Sequence, residues 1–334
     1  MDQSIRFCTT DDGVRIAYAT SGKGPPIVRP GHWLTHLEYD LKSPVWRPLL
    51  MGLSEQHTLV RYDPRGTGMS DRDVRDVSLD LWLKDLEAVV GDLGLDRFAL
   101  LGMSQGGPVA IRYAAKHPDK VTHLILYGSY ARRRLPGDDV EFSPEMLDAM
   151  CTLILKGWGS DNESYRELFS SRYVGSGNRE HIRWFNELEA ISASPEMAAR
   201  YLRALSEIDV RDILSKVKAP TLVLHCRGDR VAPFRFGREL AAGIAGAKFV
   251  PMEGDNHVFL EHAPASGTFF LEVSRFLGDK RPLVSKVAVG RHARNWRALI
   301  SRVHHAVEPY YVIAAVVSLA IGAISYLVAR FGWQ

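Results

Sequence analysis

The sequence predicts an α/β fold: a doubly wound, mostly parallel sheet with a helical cap inserted into it and a transmembrane helix at the C-terminus. Three observations predict it. Short apolar runs alternate with longer helix-like segments along most of the 334 residues. The alternation stops between residues 131 and 214. The stretch from Tyr310 to Ala329 then gives 20 residues without a charge. A chain with 46% hydrophobic and 24% charged residues is neither disordered nor fibrous. Its three cysteines, Cys8, Cys151 and Cys226, are odd in number and unclustered. That argues for a reducing compartment and against a structural zinc.

The elements follow in order. Met1-Asp2-Gln3-Ser4 lacks the basic-then-apolar pattern of a signal peptide, so the body is expected not to be exported. Ile5 to Ser21 reads as a hairpin turning at Asp11-Asp12-Gly13. Strands are predicted at Pro26–Arg29, Thr58–Tyr62, Phe98–Gly102, Val121–Tyr127, Thr221–His225 and Lys248–Pro251, each apolar on both faces as buried parallel strands are. Residues 131–214 carry Pro136-Gly137, no strand pattern, and helix-like segments with Met146, Leu153, Trp158, Phe169, Trp184, Phe185 and Tyr201. Residues 1–130 and 215–279 are thus assigned to the core and 131–214 to the cap. A basic linker and amphipathic helix (280–308) and the transmembrane tail (309–334) complete the chain.

The net charge of +3 is unevenly spread. Eight Lys and Arg against Glu308 make residues 280–334 +7, which leaves 1–279 at −4. A mildly acidic body argues against nucleic acid as a partner.

The chemistry-bearing residues fall at strand ends. Phe98-Ala99-Leu100-Leu101 runs into Gly102-Met103-Ser104-Gln105-Gly106, with a helical pattern from Pro108 to Lys116. Gly-x-Ser-x-Gly between strand and helix is a nucleophile elbow, its glycines letting the two elements approach. A serine hydroxyl needs a base, and the base an orienting acid. Asp229 follows the strand ending at His225, and His257 follows the next, in Glu253-Gly254-Asp255-Asn256-His257. Both fall on the sheet edge of Ser104, in the order serine, acid, histidine. Among the twelve histidines, His262, placed inside the final helix, is the alternative base. His225 reads as a strand residue, His117 as a helix end and His304-His305 as part of the tail. Asp255 and Asp209 are weaker acid candidates. Two backbone N–H groups should form the oxyanion hole. One is that of Gln105. The other is that of His32, in Pro30-Gly31-His32-Trp33, with Trp33 as runner-up. No partner ligands at suitable spacing make His32 a metal ligand, and neither metal nor cofactor is expected.

On these residues the chain resembles the α/β-hydrolase superfamily over 1–279. Tyr62-Asp63-Pro64-Arg65-Gly66-Thr67-Gly68-Met69-Ser70 resembles that family's Asp-x-Arg-Gly-x-Gly-x-Ser loop, whose role is to brace the loops beside the pocket. Leu224-His225-Cys226-Arg227-Gly228-Asp229 and Asn256-His257 resemble the segments bearing its acid and base. Tyr62 through Gly128 is especially similar to small bacterial hydrolases associated with cyclase and LuxR-type regulators. Haloalkane dehalogenases and epoxide hydrolases of this fold carry Asp where Ser104 stands. The His-Gly-Gly-Gly loop of hormone-sensitive-lipase-like enzymes is absent, and Pro30 replaces the usual histidine before Gly31. The resemblance implies a serine hydrolase cleaving carboxylic esters of small molecules through an acyl-enzyme; the aromatic residues of 131–214, where the family places its cap, suggest an apolar substrate, or equally pack the cap on the body. A serine-type C–C hydrolase, a cofactor-free perhydrolase and a non-catalytic binding or signalling module are the alternatives.

The tail carries separate signals. As a helix, residues 310–329 would span ~30 Å, a bilayer's hydrocarbon thickness. Ala314, Ser318 and Gly322 make a small-xxx-small face suited to pairing helices in a homo-oligomer. Ahead of it, Val289, Ala293, Trp296, Leu299, Ile300, Val303 and Val307 fall on one side of a helical wheel, with Arg291, Arg294, Arg297 and Arg302 opposite. Such a helix lies on an anionic membrane surface, and Glu308-Pro309 breaks it before the span. Residues 289–329 are therefore expected to meet membrane lipid. The positive-inside rule then places the body on the cytoplasmic side of a single-pass tail anchor.

Overall fold

A computed structural model describes residues 2–32, 35–133, 143–160, 162–281 and 283, all within one compact unit, Met1–Ser285. Eight strands form one sheet: β1 (Gln3–Thr9), β2 (Arg15–Ser21), β3 (Pro26–Arg29), β4 (Thr58–Tyr62), β5 (Phe98–Met103), β6 (Val121–Tyr127), β7 (Thr221–Cys226) and β8 (Lys248–Met252). Their spatial order is β1-β2-β4-β3-β5-β6-β7-β8. The hairpin pairs antiparallel from Gln3↔Ser21 to Thr9↔Arg15, β2 lies antiparallel to β4, and every later pairing is parallel. The chain therefore winds outward from β3 to β4 and then jumps back across β3 to β5. A doubly wound sheet opens a crevice at such a reversal, beyond the carboxyl ends of its strands.

The central strands are apolar on both faces because helices cover both. Every residue of β5 and β7 is buried. β8 departs from the expected pattern: Lys248 and Pro251 are exposed, because it is the last strand of the sheet. Proline is tolerated at an edge, where no ladder hydrogen bond is lost. The helices of the core are α1 (Leu37–Asp40), α2 (Arg47–Leu53), α3 (Leu79–Asp92) and α4 (Gly106–Lys116). Trp82, Leu83, Leu86, Val89 and Val90 form the buried face of α3, a helical repeat turned toward the sheet.

The cap comprises α5 (Pro144–Gly157), α6 (Glu163–Val174), α7 (Arg179–Ser192) and α8 (Pro195–Ser206). Each start is written in the sequence: Ser143, Asn162, Asn178 and Ser194 turn a side-chain oxygen onto a first-turn amide. A 3₁₀ segment, Arg211–Lys216, returns the chain to β7. After it come α9 (Phe234–Gly243) and α10 (Pro264–Leu277), the latter ended by Gly278 at φ 73°. His262 lies in the turn before α10 rather than inside the helix, since Pro264 sets the first helical turn. Among the described residues no helix is long and apolar enough to cross a membrane. The expected amphipathic and membrane-spanning segments, 289–329, lie outside the described residues.

Candidate active site

Ser104 sits between β5 and α4 at φ 49°, alone among the described non-glycine residues in having a positive φ. That backbone costs on the order of 1–3 kcal/mol and persists because its surroundings fix it. Its amide donates to the Tyr127 carbonyl at 3.1 Å, and its carbonyl accepts from the Gly107 amide at 3.0 Å and the Ser129 hydroxyl at 2.9 Å. Side chains at the flanking glycines would collide. A Cβ on Gly102 would lie 2.6 Å from Gly107 Cα, and one on Gly106 would lie 2.9 Å from the Pro30 carbonyl oxygen.

Asp229 follows β7 and His257 follows β8. His257 Nδ1 meets Asp229 Oδ2 at 2.8 Å, and both side chains are buried. Asp229 Oδ1 accepts the amides of Val231 at 2.9 Å and Ala232 at 2.8 Å. One carboxylate oxygen thus fixes the turn while the other receives the imidazole. Burial pushes the Asp229 carboxyl up. The charge and hydrogen bond of His257, with His225 and the Ala232 amide, outweigh it and hold Asp229 below the ordinary carboxylate value. Because an ionised carboxylate can only accept, His257 Nδ1 carries the proton and Nε2 keeps its lone pair. No protein group hydrogen-bonds that Nε2 among the described residues. Ser104 and His257 line one pocket, with His32, Trp46, Met103, Tyr127, Tyr173, Phe185 and Val258.

The other sequence candidates separate cleanly. Asp255 is drawn to the Ser176 amide at 3.0 Å, and Asp209 is held at the surface by Arg211. His262 stacks on His181 and is absent from the pocket. Gln105 is the N-cap of α4, so its amide lies ahead of the helical hydrogen bonds. The buried His32 lines the pocket from the loop after β3. Trp33 lies outside the described residues.

The loop after β4 ties the core to the cap. Asp63 Oδ2 accepts the Leu37 and Met69 amides at 3.1 and 2.9 Å. Arg65 is clamped by Asp85 at 2.8 Å and Asp12 at 2.6 Å. Its carbonyl accepts the Tyr201 hydroxyl of α8 at 2.6 Å, and the Gly68 amide donates to the Ser192 carbonyl at 2.8 Å.

Three contributors escaped the sequence reading. His225 is more than a strand residue: its Nε2 donates to the Ala232 carbonyl at 2.7 Å, locking the turn whose amides hold Asp229. Gly128 follows β6 at φ 52°, where a Cβ would stand 3.3 Å from Asp229 Oδ2 and 3.5 Å from His257 Cε1. Glycine directly after an apolar strand was the readable signal for it. Tyr173 of α6 accepts the amides of both His257 and Val258 on its carbonyl, at 3.0 and 3.1 Å. A backbone carbonyl leaves no mark in sequence. Among the described residues no group of three or more His, Cys, Asp or Glu is placed to hold a metal ion.

Sheet order, elbow and acid–histidine couple define the class, and a family model agrees. The alpha/beta hydrolase family model matches residues 28–266, and the chain belongs to that family. Within it, the chain is 31% identical over 257 residues to the AB hydrolase superfamily protein YisY of Bacillus subtilis (strain 168), covering 75% of this chain and 91% of that protein. It is 30% identical over 226 residues to a pimeloyl-[acyl-carrier protein] methyl ester esterase of Nitrosomonas europaea, covering 65% of this chain and 82% of that one. Its fold is similar to the crystal structure of bromoperoxidase from Bacillus anthracis, at TM-score 0.70 and 22% identity, over 83% of this chain and 100% of that chain.

Proposed function

We propose that this hydrolase cleaves small, apolar carboxylic esters through an acyl-enzyme. The observation that carries the reading is the Asp229–His257 couple closing on the pocket that also holds the strained Ser104. Ser104 Oγ attacks the ester carbonyl carbon as its proton passes to His257 Nε2. Asp229 stabilises the imidazolium, and the amides of Gln105 and His32 receive the oxyanion. His257 then protonates the departing alkoxide. Water repeats the sequence on the acyl-enzyme and releases the carboxylic acid. Support for the bond type comes from the relative named as a methyl ester esterase. Support for an apolar substrate comes from Trp46, Met103, Phe185 and Val258 in the pocket wall. A fluorophosphonate probe should label the protein and leave Ser104→Ala unlabelled. Equal labelling of the variant overturns the assignment of the nucleophile. Labelling without turnover across a panel of p-nitrophenyl esters overturns the substrate class.

The uncharged run 310–329, preceded by Arg291, Arg294, Arg297 and Arg302 and followed by Arg330, supports a tail anchor with the hydrolase on the cytoplasmic face. Its small-residue face supports pairing of two such tails. Alkaline carbonate should leave the full chain on membranes, and deletion of 309–334 should release it. The reverse of either result removes the anchor.

A further inference from the structure

Behind the pocket lies a buried cation that the reaction above does not use. Arg29, the last residue of β3, is 1% exposed. Among the described residues it forms no salt bridge. Asp40 is engaged by Arg61 at 3.2 Å, and Asp63 is engaged by the Leu37 and Met69 amides. The Arg29 guanidinium instead lies 5.0 Å from the ring centroid of Trp46 and brings Nη2 onto Nε2 of His32. The His32 ring in turn packs on Trp46 at 4.9 Å between centroids. Two lining residues of the pocket thus rest on one guanidinium.

The contact fixes a proton. A guanidinium has N–H donors and no acceptor, so the imidazole nitrogen facing it must offer a lone pair. The proton of neutral His32 then resides on Nδ1, and an imidazolium would set N–H against N–H. We propose that Arg29 is a positioning residue that holds His32 as the neutral, Nδ1-protonated tautomer, making its ring a permanent hydrogen-bond donor in the pocket wall for an oxygen atom of the substrate. The titratable groups sharing the pocket with this ring are His257, Tyr127, Tyr173 and Ser104. None supplies a carboxylate that would favour the imidazolium. Burial first, then Arg29 and His257, drive the His32 pKa well below the ordinary histidine value. Burial lowers Arg29 itself to about 10, so it stays charged at neutral pH. The inference deepens the hydrolase reading. His257 and His32 have opposite duties: one moves a proton and the other must never do so.

The test uses the intact protein labelled with 15N-histidine. Long-range 1H–15N spectra, with His32 assigned by its loss in His32→Gln, should show an Nδ1–H tautomer that does not titrate between about pH 5 and pH 8. An Nε2–H tautomer, or titration in that window, overturns the proposal without any variant of Arg29. In Arg29→Met no donor holds the lone pair on Nε2, and the His32 spectrum should move from the Nδ1–H pattern toward Nε2–H or a mixture of the two. An unchanged His32 signal in Arg29→Met counts against the proposal. The spectra need no substrate, so a Ser104 that fails to react with the probe would sink the esterase reading and leave this inference standing.

Discussion

Core and cap meet at the pocket but contribute different kinds of atom. The core places side chains at strand ends: Ser104, Asp229 and His257, with Arg29 and His225 behind them. The cap provides the rings of Tyr173 and Phe185 as walls, and several of its hydrogen bonds to the core use a main-chain atom. Tyr201 bonds the Arg65 carbonyl, the Gly68 amide bonds the Ser192 carbonyl, and Arg72 bonds the Ile191 carbonyl at 2.8 Å. The candidate chemistry is thus written in side chains on one side, while the seat of the cap joins main-chain partners to ring packing, Trp184 on Tyr39 and Tyr201 on Trp82.

This contrast can be broken or sharpened by substitution. Ser104→Ala should reduce ester turnover by about 10⁶-fold with the melting temperature retained, read by p-nitrophenyl ester hydrolysis beside circular dichroism. Asp229→Asn should cost about 10⁴-fold, because an amide can present an N–H to His257 Nδ1 and favour the wrong tautomer. The same substitution tests a pH effect. The folded pKa of Asp229 lies below its ordinary 3.8, so its contribution to stability is complete above that value. It is lost as pH falls through the folded pKa, and urea titrations of parent and Asp229→Asn should converge in that acid range.

Gly128→Ala should destabilise by about 1–2 kcal/mol for the left-handed backbone alone. It should also lower kcat, since the new methyl group presses on the acid–histidine couple; a normal kcat would show that the couple has slack. Tyr201→Phe should have the smallest effect. Loss of its bond to the Arg65 carbonyl should cost about 1 kcal/mol in urea unfolding, with KM rising and kcat held. A fall in kcat there would mean that the cap shapes the reacting geometry itself.

Much of this was readable in the residues. The strand ends are legible because β5 and β7 are buried on both faces and run directly into Gly102-Met103-Ser104 and Cys226-Arg227-Gly228-Asp229. The helix starts of the cap are legible through Ser143, Asn162, Asn178 and Ser194. β8 misleads, because Phe249 and Val250 imply more burial than an edge strand receives, and both are only half-buried. The supports of the site were hidden for a different reason. His225 reads as an ordinary strand residue, and its role comes from the turn it bonds; Arg29 reads as a strand terminus, and its role comes from Trp46 and His32 packed against it. Their roles arise from contacts distant in sequence or made to backbone, which local pattern does not encode.

The Tyr173 carbonyl carries one last consequence. It holds the amides of His257 and Val258 together, so the His257 loop hangs from α6 as well as following β8. The position of the His257 imidazole therefore depends on a cap helix as well as on the sheet, and a substitution that displaces α6 would cost both hydrogen bonds of the loop that carries it.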